Sequence, residues 1–353
     1  MNDPTYLGNH HTRVRGECYD ALIQAYLQTA SELLPSALLH FEDFGPSNAR
    51  RILVQNREKY RIFNDDMQGA GAIVIVAVIS GLKVTKQTFA EQRLVVYGAG
   101  TAGTGMADQI SAAMECNGLS REEAKKRVWL IDINGLVTDD MENLPDYQQE
   151  YARLASEVAA WQHDNGKINL LEVVKQVKPI ILIGASTDHG AFTESVVQAL
   201  CAGVERPILS PLSNPTERIE VMPDDAVRWS NGKALIATGI PVALVSYQGV
   251  EYVIGQGNNA LLYPGLGLGV IVSGAKHVTD GMLLAAAEAV ASQVNPQDLS
   301  ASLLPPVDNL RASSATVAEA VTKQAVKDGV ATKQPENWVQ AVQDAMWQAV
   351  YAA

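Results

Sequence analysis

Two groups of residues in this 353-residue chain have types and spacing suited to chemistry: a glycine-rich turn and two pairs of carboxylates. The turn, Gly98-Ala99-Gly100-Thr101-Ala102-Gly103, closes the apolar run Leu94-Val95-Val96-Tyr97 and opens a helical pattern. Gly98 permits a tight exit from a strand, and Gly100 lets a backbone approach a pyrophosphate. Gly103 lets the new helix sit close to the strand, with its unpaired amides facing phosphates. Ala102 lies inside the same turn. Asp132 ends the next β-type run, Val128-Trp129-Leu130-Ile131-Asp132, where a carboxylate can accept hydrogen bonds from an adenosine ribose. Together they suit NAD, although glycine-rich turns also serve packing alone.

The acidic pairs each follow a short extended segment. Glu42 and Asp43 follow Ala37-Leu38-Leu39-His40-Phe41; Asp65 and Asp66 follow Ile62-Phe63-Asn64. Carboxylates at the ends of neighbouring strands converge where open α/β sheets bind ligands, and hard oxygen donors suit Mg2+ or Mn2+. The same pattern also fits exposed turns or helix caps. Two later polar stretches, Ser213-Asn214-Pro215-Thr216 and Gln256-Gly257-Asn258-Asn259, offer amides that can both donate and accept, as a hydroxy acid or a carboxamide requires. Asn-Pro and Gly-Asn are equally ordinary turn formers.

The elements that must position these residues follow from periodicity. Apolar positions Tyr19, Leu22, Ile23, Tyr26, Leu27, Ala30, Leu33 and Leu34 predict an amphipathic helix over 17–34. A second helix is expected over 45–60, capped by Ser47. Residues 72–79 fit either a strand or a wholly buried helix. From Gln92 onward, strand patterns at 94–97, 128–132, 180–184, 207–210 and 234–237 alternate with helical ones. That alternation predicts an α/β fold, a doubly wound parallel sheet of Rossmann type with helical segments from both termini flanking it. Asp132 is further from Gly103 than the usual fingerprint spacing, so a long helix or an insertion must intervene. The expected division is 1–68, carrying the acidic pairs; 69–305, the nucleotide-binding sheet; and 306–353, a helical tail packing back on the first sixty residues.

Composition sets the class. Charged residues make up 19% and apolar residues 47%, as in an ordinary globular protein with a substantial core. A net charge of −12 argues against a nucleic-acid partner, and the one short basic cluster, Lys125-Lys126-Arg127, reads as a solvated helix face. Cys18, Cys116 and Cys201 are far apart, which fits a reducing compartment. Apolar runs look too short or interrupted for a membrane span, and residues 1–30 lack a signal-peptide pattern, so a cytoplasmic location is expected.

Taken together, Phe41-Glu42-Asp43-Phe44, Phe63-Asn64-Asp65-Asp66-Met67-Gln68-Gly69, the Gly98–Gly103 turn, Leu212-Ser213-Asn214-Pro215-Thr216, Gly257-Asn258-Asn259-Ala260 and Tyr263-Pro264-Gly265-Leu266-Gly267-Leu268-Gly269 resemble the malic enzymes in order and spacing. Arg13-Val14-Arg15-Gly16 and the stretch Ile254–Pro264 look most like the malolactic branch. The resemblance implies Glu42, Asp43 and Asp66 as ligands of Mn2+ or Mg2+, with Asp65 beside them as a supporting or proton-handling carboxylate. It implies Asn214 and Asn259 as residues that hold L-malate, with Asn214 and the adjacent Asn258 also near the NAD. It further implies oxidation of malate at C2 by NAD+ followed by loss of CO2. Pyruvate is then the product of a malic enzyme and lactate that of a malolactic one, from a homo-oligomer, dimer or tetramer. One departure matters: the family carries its catalytic tyrosine and lysine and a substrate-clamping arginine in a segment before the Asp3-Pro4 motif, and no residue here maps onto them. The expectation is therefore a chain that binds cofactor and turns over little. The alternative is a non-catalytic NAD-binding or oligomerisation module derived from such an enzyme.

Overall fold

The computed structural model describes residues 3–294, 300 and 302–351. The chain opens with α1 (Glu17–Leu33), β1 (Leu39–Phe41), α2 (Pro46–Asn56) and β2 (Ile62–Asn64). A π-helical turn, Asp65–Gly69, then runs without a break into α3 (Ala70–Thr85). There follow β3 (Leu94–Tyr97), α4 (Thr101–Cys116), α5 (Arg121–Lys126), β4 (Val128–Asp132), β5 (Gly135–Leu136), α6 (Asp146–Gln149), α7 (Ala155–Val158), α8 (Leu170–Val177), β6 (Ile181–Gly184), α9 (Glu194–Gly203) and β7 (Ile208–Pro211). The remainder is α10 (Pro223–Trp229), β8 (Leu235–Thr238), a small hairpin of β9 (Val245–Tyr247) and β10 (Val250–Tyr252), β11 (Gly255–Gln256), α11 (Tyr263–Ser273), α12 (Asp280–Ala291), α13 (Leu310–Lys327) and α14 (Trp338–Ala345).

The strands of the main sheet lie in the order β11-β8-β7-β6-β3-β4-β5, parallel except for β5. Register explains why the central residues of β3, β6, β7 and β8 are apolar. Leu94, Ile181, Ile208 and Leu235 align across the sheet and face one core; Val95, Leu182, Leu209 and Ile236 align one residue on and face the other. Side chains alternate faces along a strand, so a sheet covered by helices on both sides favours apolar residues at both alternating positions, with Ser210 and Thr238 as buried polar residues near the strand ends. Chain order reverses at β3, which has β4 on one side and β6 on the other. Such a reversal opens a crevice at the carboxyl ends of the strands.

The ambiguous run 72–79 is helix. It lies in α3, which is buried on nearly every face from Gly71 to Leu82. From Asp65 to Thr85 the helical run is long and apolar enough to cross a membrane, contrary to the reading from sequence, yet 78% of its most apolar window is buried inside the protein. The added spacing before Asp132 is explained by α5, a short helix opened by the capping box of Ser120 and Glu123, placed between α4 and β4.

Three expectations need correction. Ser47 does not cap α2: Gly45 holds that position with Pro46 in the first turn, and Ser47 falls inside the helix. The apolar face of α1 is covered only in part, with Leu27 buried while Leu22, Tyr26, Leu33 and Leu34 are exposed. The tail packs chiefly on α11 and α12 instead of the first sixty residues. Gly265 and Gly269 are the reason: a Cβ on either would come within 3 Å of a carbonyl of α13, at Ser314 and Ala318, so only glycine lets the two helices meet this closely. The first sixty residues dock on the same layer elsewhere. Arg61 donates through Nε to the Ala275 carbonyl at 2.5 Å, and Arg57 pairs with Asp280 at 2.8 Å.

Candidate functional site

β1 and β2 pair in parallel with Leu39, His40 and Phe41 opposite Ile62, Phe63 and Asn64, so both acidic pairs emerge from the same end of a two-stranded sheet. Asn64 caps the π-helical turn by accepting from the Met67 N–H, which draws Asp65 inward and buries it. Asp43, at φ 59°, turns its N–H onto Asp66 Oδ2 at 2.9 Å. Burial, opposed by that bond, pushes the Asp66 carboxyl above its ordinary range, and the neighbouring charges of Asp65 and Asp43 add to the rise.

The tightest group of ligand-capable atoms among the described residues is His40, Glu42 and Asp65, all within 4.8 Å of one another. Asp43 and Asp66 stand next to it, engaged with each other. Sequence reasoning missed His40, although its position between the buried Leu39 and Phe41 marked it as the outward residue of β1. Asp65 Oδ1 is buried without a hydrogen-bond partner, at 3.7 Å from His40 Nε2. An anionic oxygen left so is costly unless a proton or cation meets it, and the surrounding donors are hard oxygens of the kind Mg2+ and Mn2+ select.

The glycine turn has the geometry its sequence suggests. Gly98 takes φ 108°, and a Cβ on Gly103 would lie 2.0 Å from the Gly98 carbonyl oxygen, so α4 starts against the strand end as only glycine allows. Gly100, by contrast, faces open space. The Thr101 hydroxyl, in the first turn of α4, is buried without a partner. Asp132 is held beside this turn by a residue the sequence reading passed over: Gln148 donates from Nε2 to Asp132 Oδ2 at 2.7 Å and to the Ala99 carbonyl at 2.8 Å. These groups fit a dinucleotide laid across the crevice with its ribose toward Asp132.

On the other side of the reversal, loops after β6, β7 and β11 complete the site. Asn214 precedes Pro215 through a cis peptide. Asn258 accepts from the Ala260 N–H, and Asn259 donates to Asp65 Oδ2 at 3.0 Å. A cavity of about 650 Å³ brings Glu42, Asp65 and Asp66 together with Ala102, Asn214, Asn258 and Asn259. Tyr263, which meets His40 ring to ring at 5.2 Å, lines it too, and was not singled out from sequence. Asp43, Gly98, Gly100, Gly103 and Asp132 do not line this cavity. Asp43 faces Asp66, and the remaining four border the crevice at β3 and β4.

Comparison with known proteins accords with this geometry. The family described as "Malic enzyme, NAD binding domain" matches residues 67–326, and that described as "Malic enzyme, N-terminal domain" matches residues 1–60. The chain is 54% identical over 99% of its length to NAD-dependent malic enzyme 3 of Bacillus subtilis, covering 62% of that protein. It is 42% identical, again over 99% of its length, to the malolactic enzyme of Lactococcus lactis, covering 64% of it. It thus spans less than two thirds of these relatives. Among solved structures, the malic enzymes of Entamoeba histolytica and Pyrococcus horikoshii superpose with a TM-score of 0.71 each, at 23% and 24% identity. They cover 92% and 91% of this chain, which covers 61% and 68% of theirs.

Proposed function

Because the chain belongs to the malic enzyme family, we propose that its cleft binds NAD+, a divalent cation (Mn2+ or Mg2+) and L-malate in support of oxidative decarboxylation. The observation that carries this reading is the convergence of Glu42, Asp65 and Asp66 with Asn214 and Asn259 on one cavity, reached from segments far apart in sequence. The higher identity to a malic enzyme than to a malolactic one favours pyruvate as the product.

When bound, the cation supplies Lewis-acid polarisation and NAD+ supplies a hydride acceptor. The chain's own residues do the rest. Glu42, Asp43 and Asp66 hold the cation, while His40 stands close enough to Glu42 and Asp65 to share in that role. Asn214 and Asn259 orient the malate carboxylates through amide donors, and Asn258 holds the turn between Asn259 and the cofactor. Asp65, anchored through Oδ2 with Oδ1 unpartnered, is the group placed to take the malate hydroxyl proton, a transfer commonly worth about 10² to 10⁴-fold in rate. Gly98, Gly100, Ala102 and Gly103 form the pyrophosphate cradle, and Asp132 receives the ribose.

A second reading, binding without appreciable turnover, is favoured by one observation: no lysine or arginine among the described residues lines the cavity. Malate conversion assayed with NAD+ and Mn2+ separates the two. Little or no NADH formation despite cofactor binding supports the binding-only reading; brisk turnover abolished by Asp65→Asn supports Asp65 as the proton acceptor. A cytoplasmic homo-oligomer is the accompanying proposal, and light scattering of the purified chain tests its assembly.

A further inference from the structure

Glu220 is completely buried, yet the chemistry above makes no use of it. Its Oε1 accepts from the Ser186 N–H at 2.9 Å, the Ser186 hydroxyl at 2.8 Å and the Ser213 hydroxyl at 2.6 Å, while Oε2 faces the Ser213 N–H at 3.4 Å. All of these donors are neutral, and they come from two loops: Ser186 follows β6 and Ser213 follows β7. One further bond joins the loops, from the Thr187 N–H to Ser213 Oγ at 2.9 Å, and another steadies the loop after β6 itself, from the Asp188 N–H to Ser186 Oγ at 3.1 Å. Gly184, at the end of β6, has room for no side chain, because a Cβ there would lie 2.4 Å from the Glu220 carboxyl carbon. A carboxylate taken wholly out of water is expensive, and it is retained where several donors converge on it.

Thr187 and Ser213, which these bonds hold, line the cavity, as does Asn214 next to Ser213. They lie on the β6 and β7 side of the reversal, opposite Asp132. We propose that Glu220 is a positioning residue that clamps the two loops together and sets the nicotinamide and substrate half of the cleft, leaving the adenosine half to Asp132 and the glycine turn. This rests on the reading that the cleft takes NAD. It assigns the carboxylate no contact with cofactor or malate.

The test titrates the full chain with NADH, followed by its fluorescence, and with ADP-ribose, which lacks the nicotinamide. Glu220→Ala, and separately the double variant Ser186→Ala with Ser213→Ala, should weaken NADH about tenfold or more, a loss of the size expected for hydrogen bonds to a charged group. ADP-ribose affinity should stay within about twofold. Glu220→Gln keeps the oxygen that accepts three of the bonds and should recover most of the NADH affinity. Equal weakening of both ligands, or NADH binding unchanged in both alanine variants, overturns the proposal. If Glu220→Ala does not fold, the serine double variant and Glu220→Gln decide by the same readings. A parent chain that binds neither nucleotide overturns the cofactor reading and this proposal with it; a parent that binds both, with no selective loss in the variants, overturns the role of Glu220 alone.

Discussion

Asn259 donates its side-chain N–H to Asp65 Oδ2 at 3.0 Å, joining two positions 194 residues apart. The bond ties the loop after β11 to the acidic turn after β2, so one side chain fixes both the carboxylate and the amide proposed to meet malate. Replacing Asn259 by Ala frees that turn and removes a hydrogen bond to a charged group, worth roughly 1.5–3 kcal/mol. Malate affinity measured calorimetrically with NADH and Mn2+ present should fall by roughly 10 to 100-fold, and the unfolding temperature should drop by a few degrees because the bond also holds the fold. Unchanged affinity would remove Asn259 from the substrate site.

The cation site is tested by Asp66→Ala. Removing one anionic oxygen from a hard-cation site leaves water as a poorer substitute, and the Asp43 N–H loses its acceptor as well. Mn2+ affinity should drop by at least about tenfold, the equivalent of ~1.4 kcal/mol. His40→Ala should have the smaller effect if the imidazole only supports the carboxylates. Equal Mn2+ affinity in a Glu42→Ala, Asp43→Ala, Asp66→Ala triple variant would reduce these residues to turn formers.

Cofactor choice follows from Asp132. Its carboxylate, steadied by Gln148, should accept from a free ribose hydroxyl and repel a 2′-phosphate, so NAD+ should bind better than NADP+. Asp132→Asn should narrow that preference, and Gln148→Ala should weaken NAD+ without reversing it. Equal binding of the two dinucleotides by the parent chain would refute the assignment.

Much of this fold was legible in the sequence because two periodicities carried it. Short apolar runs rich in Val, Ile and Leu located β3, β4, β6, β7 and β8, and their separation by helical patterns gave the doubly wound sheet; β11, Gly255–Gln256, has no such run and was missed. The acidic pairs were legible as candidates since each ended an extended run. Other features depended on partners distant in the chain. The run 72–79 is apolar on all sides, so no moment distinguishes helix from strand until α4 and α12 are seen to enclose it. The tail was misplaced because its small and apolar face matches any apolar layer; the fit of Gly265 and Gly269 to α13 decides it, and that is visible only in space. Gln148 lies in an unremarkable polar stretch and Glu220 between Ile219 and Val221, and only burial and bonding single them out.

Gly103→Ala tests the strand-to-helix junction. A methyl group 2.0 Å from the Gly98 carbonyl oxygen forces the backbone apart, and overpacking of this kind typically costs about 1–3 kcal/mol. Urea unfolding should show a loss of that order, accompanied by weaker NADH binding. Normal stability together with normal NADH affinity would show that the junction tolerates a side chain.

Titration of L-malate into the chain preloaded with NADH, in the presence and absence of Mn2+, bears directly on the convergence of metal, cofactor and substrate groups in one cavity. Saturable binding at one site per chain is expected with Mn2+, falling at least about tenfold when Mn2+ is omitted or when Asp66 is replaced by Ala. Malate binding that ignores both the cation and Asp66→Ala, or no binding at all to the NADH-loaded chain, would contradict it.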